Sequence, residues 1–130
     1  MKAFVEGIIN GLMVYWKEVP NAASYRVRLF VGENVAIDLG NNSSRNEVQY
    51  TEIAVIDVPR NIRYHTFKDL AWIESKADPH GTFPGASKAT GKWYCISVEA
   101  EDRAGEIIEK TDKIVGKLDH LIGDTKIHHQ

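Results

Sequence analysis

Trp93-Tyr94-Cys95-Ile96-Ser97-Val98-Glu99-Ala100-Glu101-Asp102 is the stretch from which the rest of the chain can be read. Tyr94, Ile96, Val98 and Ala100 share one parity, while Trp93, Cys95, Ser97 and Glu99 share the other. A period of two with one apolar side is the pattern of a β-strand buried on one face and wet on the other. Asp102-Arg103-Ala104-Gly105 supplies turn chemistry, and Glu106 to Val115 reads as a second, more polar strand. On this parity Cys95 faces solvent as an inert small residue.

Similar alternation recurs upstream. Gly11 to Val19 places Leu12, Val14 and the large anchor Trp16 on one side. Pro20-Asn21 breaks that run. Ser24 to Val31 follows, with Tyr25, Val27, Leu29 and Val31 inward and Arg26, Arg28 and Phe30 outward. Gly32-Glu33-Asn34 reads as a short turn before a third strand, Val35 to Leu39, and Gly40 to Asn46 as a polar loop. Two overlapping glycosylation sequons in that loop, at Asn41 and Asn42, matter only in a glycosylating pathway. Val48 to Val58 is β-branched, but its alternation slips between Tyr50 and Ile53, as a β-bulge would make it. Ile62 to Leu70 reads as a further strand. Ala71 to Lys92, with two of the four prolines and three of the ten glycines, reads as a long loop inserted before the Trp93 strand. Lys117 to Gln130 reads as a frayed or short helical tail.

Composition bounds the function classes. The 130 residues fit one domain, with 43% hydrophobic and 26% charged residues, as in ordinary globular proteins. A formal net charge of −2 carries no electrostatic signature for nucleic acid or an anionic membrane. No apolar run approaches the roughly 20 residues of a membrane helix. Glu6 interrupts the place where a signal peptide's apolar core would lie, so no signal peptide is read here. Compartment is left open between the cytoplasm and a piece of a longer exported protein. The single cysteine excludes an internal disulfide.

Many short strands with turns between them predict an all-β fold, an antiparallel sandwich of about seven to eight strands. The expected sandwich spans residues 1–116, with its insertion at 71–92 and a tail at 117–130. Trp16, Val19, Ala22 or Ala23, Tyr25 and Val27 resemble the B and C strands of a fibronectin type III domain, an immunoglobulin-like β-sandwich. Tyr94-x-Ile96-x-Val98-x-Ala100 is similar to that family's F strand. The resemblance covers residues 11 to 115 in two blocks, and implies that Leu70 precedes the E–F corner. It further implies that Tyr94 is the tyrosine corner, whose hydroxyl bonds back to the backbone. The long insertion and the Val48 to Val58 strand depart from the family pattern, and its Arg-Gly-Asp adhesion tripeptide is absent.

For catalysis the sequence offers little. It has no Gly-x-Ser-x-Gly elbow, P-loop or Gly-x-Gly-x-x-Gly, and Cys95 lies mid-strand, so no enzyme and no cofactor is expected. Asp78 and His80 offer two metal ligands without an evident third, His65 reads as a partly covered strand residue, and His120, His128 and His129 lie in the tail. No metal site is expected. Glu99 and Glu101 share a sheet face with Arg26 and Arg28, which reads as a cross-strand charge ladder.

The aromatics carry the binding hypothesis. Phe30, Tyr15 and Trp93 fall on outward parity, and Trp72 and Phe83 lie in the insertion. Either the insertion folds back over Phe30 and Trp93, or these side chains form a contact surface together with Arg26 and Arg28. The family resemblance implies a non-enzymatic binding or spacer module. Its partner would be another protein, within a larger extracellular or virion-type assembly. The alternative is a carbohydrate-binding module that stacks a glycan on Trp72 or Trp93. Self-association through the same aromatics would also hide them.

Overall fold

The computed structural model describes residues 1–77, 93–117 and 125–126. Its strands are β1 (Ala3–Ile8), β2 (Gly11–Trp16), β3 (Ser24–Gly40), β4 (Ser43–Pro59), β5 (Tyr64–Phe67), β6 (Trp93–Glu101), β7 (Ile107–Lys110), β8 (Ile114–Lys117) and β9 (Thr125–Lys126), with one helix, α1 (Leu70–Ala77). They form two antiparallel sheets. One has the order β5-β2-β1-β9; the other runs β4-β3-β6-β7, with β8 also on β6. The expected all-β sandwich of about eight strands is the observed architecture.

The core lies between the sheets and follows the parities read from the sequence. Leu12, Val14 and Trp16 of β2 meet Tyr25, Val27, Leu29 and Val31 of β3 and Tyr94, Ile96, Val98 and Ala100 of β6. Each of these is at most 4% exposed. Burying one such aliphatic side chain contributes about 1.5–3 kcal/mol, which sets the register of both sheets. Trp16 packs on Tyr25 with ring centroids 5.4 Å apart.

Several expectations are corrected at the strand ends. The short turn at Gly32–Asn34 does not exist, and β3 runs unbroken for 17 residues. Gly32 is there for space: a Cβ on it would stand 2.8 Å from Tyr50 Cε1 and 2.9 Å from both Trp93 Cβ and Val48 Cγ1. The polar loop at Gly40–Asn46 is instead a tight hairpin. Asn41 and Asn42 hold φ of 53° and 61°, the left-handed pair a two-residue hairpin demands, and asparagine tolerates it. β4 therefore starts at Ser43 rather than Val48. The expected bulge is present: Leu29 opposes Ala54 and Phe30 opposes Glu52, leaving Ile53 as the extra residue.

The strand expected over Ile62–Leu70 is only Tyr64–Phe67, and the supposed loop after it begins as a helix. Asp69, just before α1, accepts the Trp72 N–H on its Oδ1 at 3.2 Å, the bond of an N-cap. Leu70 and Glu74, one turn apart, are both buried and fix the inward face of the helix. The strand expected over Glu106–Val115 is split. Thr111 exchanges two bonds with Val98, its N–H to the Val98 carbonyl at 2.9 Å and its Oγ1 from the Val98 N–H at 3.0 Å. That clip separates β7 from β8 while both stay on β6. Thr125–Lys126, assigned to a frayed or helical tail, pairs with Gly7 and Glu6 of β1. The β1–β2 hairpin, turning at Ile9–Asn10, carries no clear sequence signal of its own.

Candidate functional site

Because β6 starts at Trp93, opposite Gly32, it leaves the far half of the β3–β4 hairpin behind. Among the described residues, 33–40 and 43–49 pair only with each other. At 3.3–3.4 Å per residue this ribbon reaches roughly 25 Å beyond the sheet. A two-stranded ribbon gains little stability by itself, so its register is held from its base. Leu39 near its tip is 53% exposed.

That base is the outward face of the second sheet. Phe30 lies opposite Cys95, and Gly32 opposite both Tyr50 and Trp93. Tyr50, Trp93 and Val48 close over the bare Gly32 backbone, and Lys113 Nζ stands 5.1 Å from the Phe30 ring centroid. Phe30, Tyr50 and Trp93 are each half-buried. Beneath them Cys95 is fully buried, correcting the solvent-facing position its parity suggested. Parity assigned the face correctly, but that face carries its own small apolar layer. Burial pushes the Cys95 thiol up to about 11 despite the opposing charge of Lys113, so it is a protonated, inert thiol near neutral pH.

Along the same face the charge ladder forms as its spacing implied, with two further carboxylates from β4. Arg28 Nη1 stands 2.8 Å from Glu52 Oε1, and its Nε 2.9 Å from Glu99 Oε1. Arg26 Nε reaches Asp57 Oδ1 at 2.9 Å and Glu101 Oε1 at 3.4 Å. Hydrogen bonds to Glu52 and then Glu99 raise the Arg28 pKa above its ordinary value. Both arginines are thus engaged within the sheet and offer a balanced face rather than free positive charge.

Of the six residues singled out for binding, Arg26, Arg28, Phe30 and Trp93 stand together on this face. Trp72 does not join them. It is 58% exposed on α1, where Lys76 Nζ lies 5.2 Å from its ring centroid, and it lines a separate groove between α1, β4 and β5. Phe83 lies outside the described residues, as do Asp78, His80, His120, His128 and His129. Tyr15, expected outward, stacks on Phe4 at 5.4 Å. His65 rests edge-on against Phe67 at 4.6 Å, and burial lowers its pKa. Among the described residues no three His, Cys, Asp or Glu side chains converge as a metal site would require.

Tyr50, Val48 and Lys113 belong to the outward cluster but escaped the sequence reading. Tyr50 and Val48 were legible in principle. Counting Ile53 as the extra residue puts Glu52, Tyr50 and Val48 on the face of Phe30. The position of Lys113 depends on the Thr111 clip, which has no local signature.

The tyrosine-corner expectation is also corrected. Tyr94 is buried, yet among the described residues its hydroxyl has no hydrogen-bond partner, and burial, with Glu74 nearby, raises its pKa. The hydroxyl that reaches the backbone is that of Tyr25, which accepts the Val19 N–H at 3.0 Å.

No family model matches the chain, and no curated protein is significantly similar to it.

Proposed function

We propose that the chain is a non-enzymatic protein-binding module of the fibronectin type III kind, which docks through the β3–β4 ribbon and the outward face at its base. The observation that carries this reading is the overreach of the hairpin. Backbone edges on both sides of the ribbon lack strand partners among the described residues, and such edges are what strand-adding partners recognise. The Gly32 cluster braces the ribbon, so ordering it on binding costs little entropy. A spacer or docking role in a larger extracellular or virion-type assembly suits a sandwich that projects an arm.

Strand order supports the family reading. β1, β2 and β5 occupy one sheet, and β4, β3, β6 and the split β7–β8 pair the other. Trp16, Tyr25, Val27 and the inward residues of β6, which carry the resemblance, all lie in the core. Glycan stacking, the alternative, is less favoured because Lys76 already lies over the Trp72 ring and Trp93 is packed at Gly32.

The test is site-specific photo-crosslinking in extracts of the source cells. A photoreactive residue in place of Leu39 should capture one defined protein, whereas the same probe in place of Lys17 should not. The same probe in place of Gln49, an exposed ribbon residue that is kept when residues 36–46 are replaced with Asn-Gly, should capture that protein in the full chain and lose it in the shortened one, whose sandwich stays folded. Equal labelling from Leu39 and Lys17, or capture that survives the truncation, would overturn the reading.

A further inference from the structure

We infer that the groove between β4, β5 and α1 is a second docking site, for an extended peptide in which apolar side chains alternate with carboxylates. It uses neither the ribbon nor the outward face. Its volume is about 480 Å³. Ile53, Ile56, Phe67 and Ile73 line it, and Trp72 stands exposed at its rim. Such a floor takes aliphatic or aromatic side chains.

Two observations fix the occupant's chemistry. The first is the backbone. β4 pairs with β3 and β5 with β2, and among the described residues neither has a partner on its other side, the side where the groove lies. Alternate N–H and C=O groups of both strands are therefore open to an added strand, which selects an extended polypeptide over a compact small molecule. The bulge at Ile53 interrupts the β4 ladder, a device that blunts an edge, so unbulged β5 is the strand that is extended. At four residues β5 accepts only a short segment, too little to template open-ended aggregation.

The second is charge. Lys68, Lys76 and His65 contribute to the lining, which contains no carboxylate among the described residues. The chain as a whole has a net charge of −2, so this groove departs locally from the sign of the molecule. A peptide whose apolar residues point to the floor presents its alternate residues outward. Carboxylates there meet the two lysines.

The experiment titrates the isotope-labelled full chain with a blocked octapeptide alternating Glu with Val or Ile, and in parallel with its lysine counterpart. The expected result is saturable amide shifts at Tyr64–Phe67 and a shift of the Trp72 indole, with no response to the lysine peptide. In a Lys68→Glu/Lys76→Glu variant the affinity should fall roughly three- to tenfold, as expected for two exposed charge contacts. Should that variant fail to fold, comparison of the two peptides on the wild-type chain decides. Equal responses to both peptides, no shift at β5, or β5 edge amides already protected from exchange in the free chain would overturn the proposal. Replacing residues 36–46 with Asn-Gly should leave this titration unchanged, which separates failure here from failure of the ribbon.

Discussion

Tyr25 and Tyr94 are both buried in the core, at 0% and 1% exposure, and face each other's strand across the β3–β6 pairing, yet phenylalanine should be tolerated at only one. The Tyr25 hydroxyl accepts the Val19 N–H at 3.0 Å, and Val19 is itself only 6% exposed. Tyr25→Phe removes the acceptor but leaves the donor buried, an asymmetry that costs about 1–3 kcal/mol. The Tyr94 hydroxyl has no partner among the described residues, so Tyr94→Phe removes a desolvated polar atom without orphaning another there. Its effect should lie between about zero and 1 kcal/mol of stabilisation. For a domain of this size each kcal/mol moves Tm by about 4 °C, so the variants should melt at least about 4 °C apart. Urea unfolding followed by tryptophan fluorescence, with m compared among all three proteins, checks that only the folded state has changed. A Tyr94→Phe loss above about 1 kcal/mol would refute the reasoning. It would mean that this hydroxyl is bonded, to Glu74 or to the backbone as a tyrosine corner.

Gly32→Ala should destabilise by about 1–2 kcal/mol. Its Cβ meets three side-chain atoms within 2.9 Å, and overpacking outweighs the roughly 0.5–1 kcal/mol that alanine gains over glycine in a strand. Near-UV circular dichroism should register the displaced Trp93. Arg28→Met removes the cation between Glu52 and Glu99. A loss of about 0.5–2 kcal/mol that shrinks with added salt is expected in denaturant titrations. A salt-independent loss would point to packing of the arginine stem instead. Cys95 should resist a thiol reagent at pH 8 until the chain unfolds. Its folded-state pKa is raised to about 11, so the unfolded chain gives up the proton first. Its contribution therefore makes stability fall as pH rises through about 9 to 11, and Cys95→Ala should remove that part of the slope, leaving the part that Tyr94, also raised by burial, contributes from about pH 10 upward.

The sandwich was legible because period-two alternation is local. Val14, Val27 and Val98 each declare an inward face within a few residues, and all three are buried as that parity requires. Even the bulge at Ile53 announced itself as a slip in parity. What stayed hidden depends on contacts made across the fold. Gly32 resembles a turn glycine, since the sequence cannot say that Tyr50, Trp93 and Val48 will crowd its backbone. Asn41-Asn42 resembles loop filler until both residues are seen at positive φ. Helix α1 hid inside a segment whose prolines and glycines all lie after Ala77. Its cap, Asp69, falls by sequence pattern in the strand before it.

The same division explains the site. Residues on one strand face were grouped correctly, so Arg26, Arg28, Phe30 and Trp93 do share a surface. The place of Trp72 in the chain groups it with them, but the helix turns it toward the edge where, among the described residues, β4 and β5 have no further strand. A sandwich has a free lateral edge wherever two sheets end together, and its neighbours decide whether that edge is closed or open to a partner. Here α1 covers part of the opening and leaves a floor of Ile53, Ile56 and Phe67 beside two lysines. The ribbon at the base cluster and the groove at the edge are therefore separable by mutation. Loss of one function without the other, on truncating the ribbon or reversing the charge of Lys68 and Lys76, is the behaviour this geometry requires.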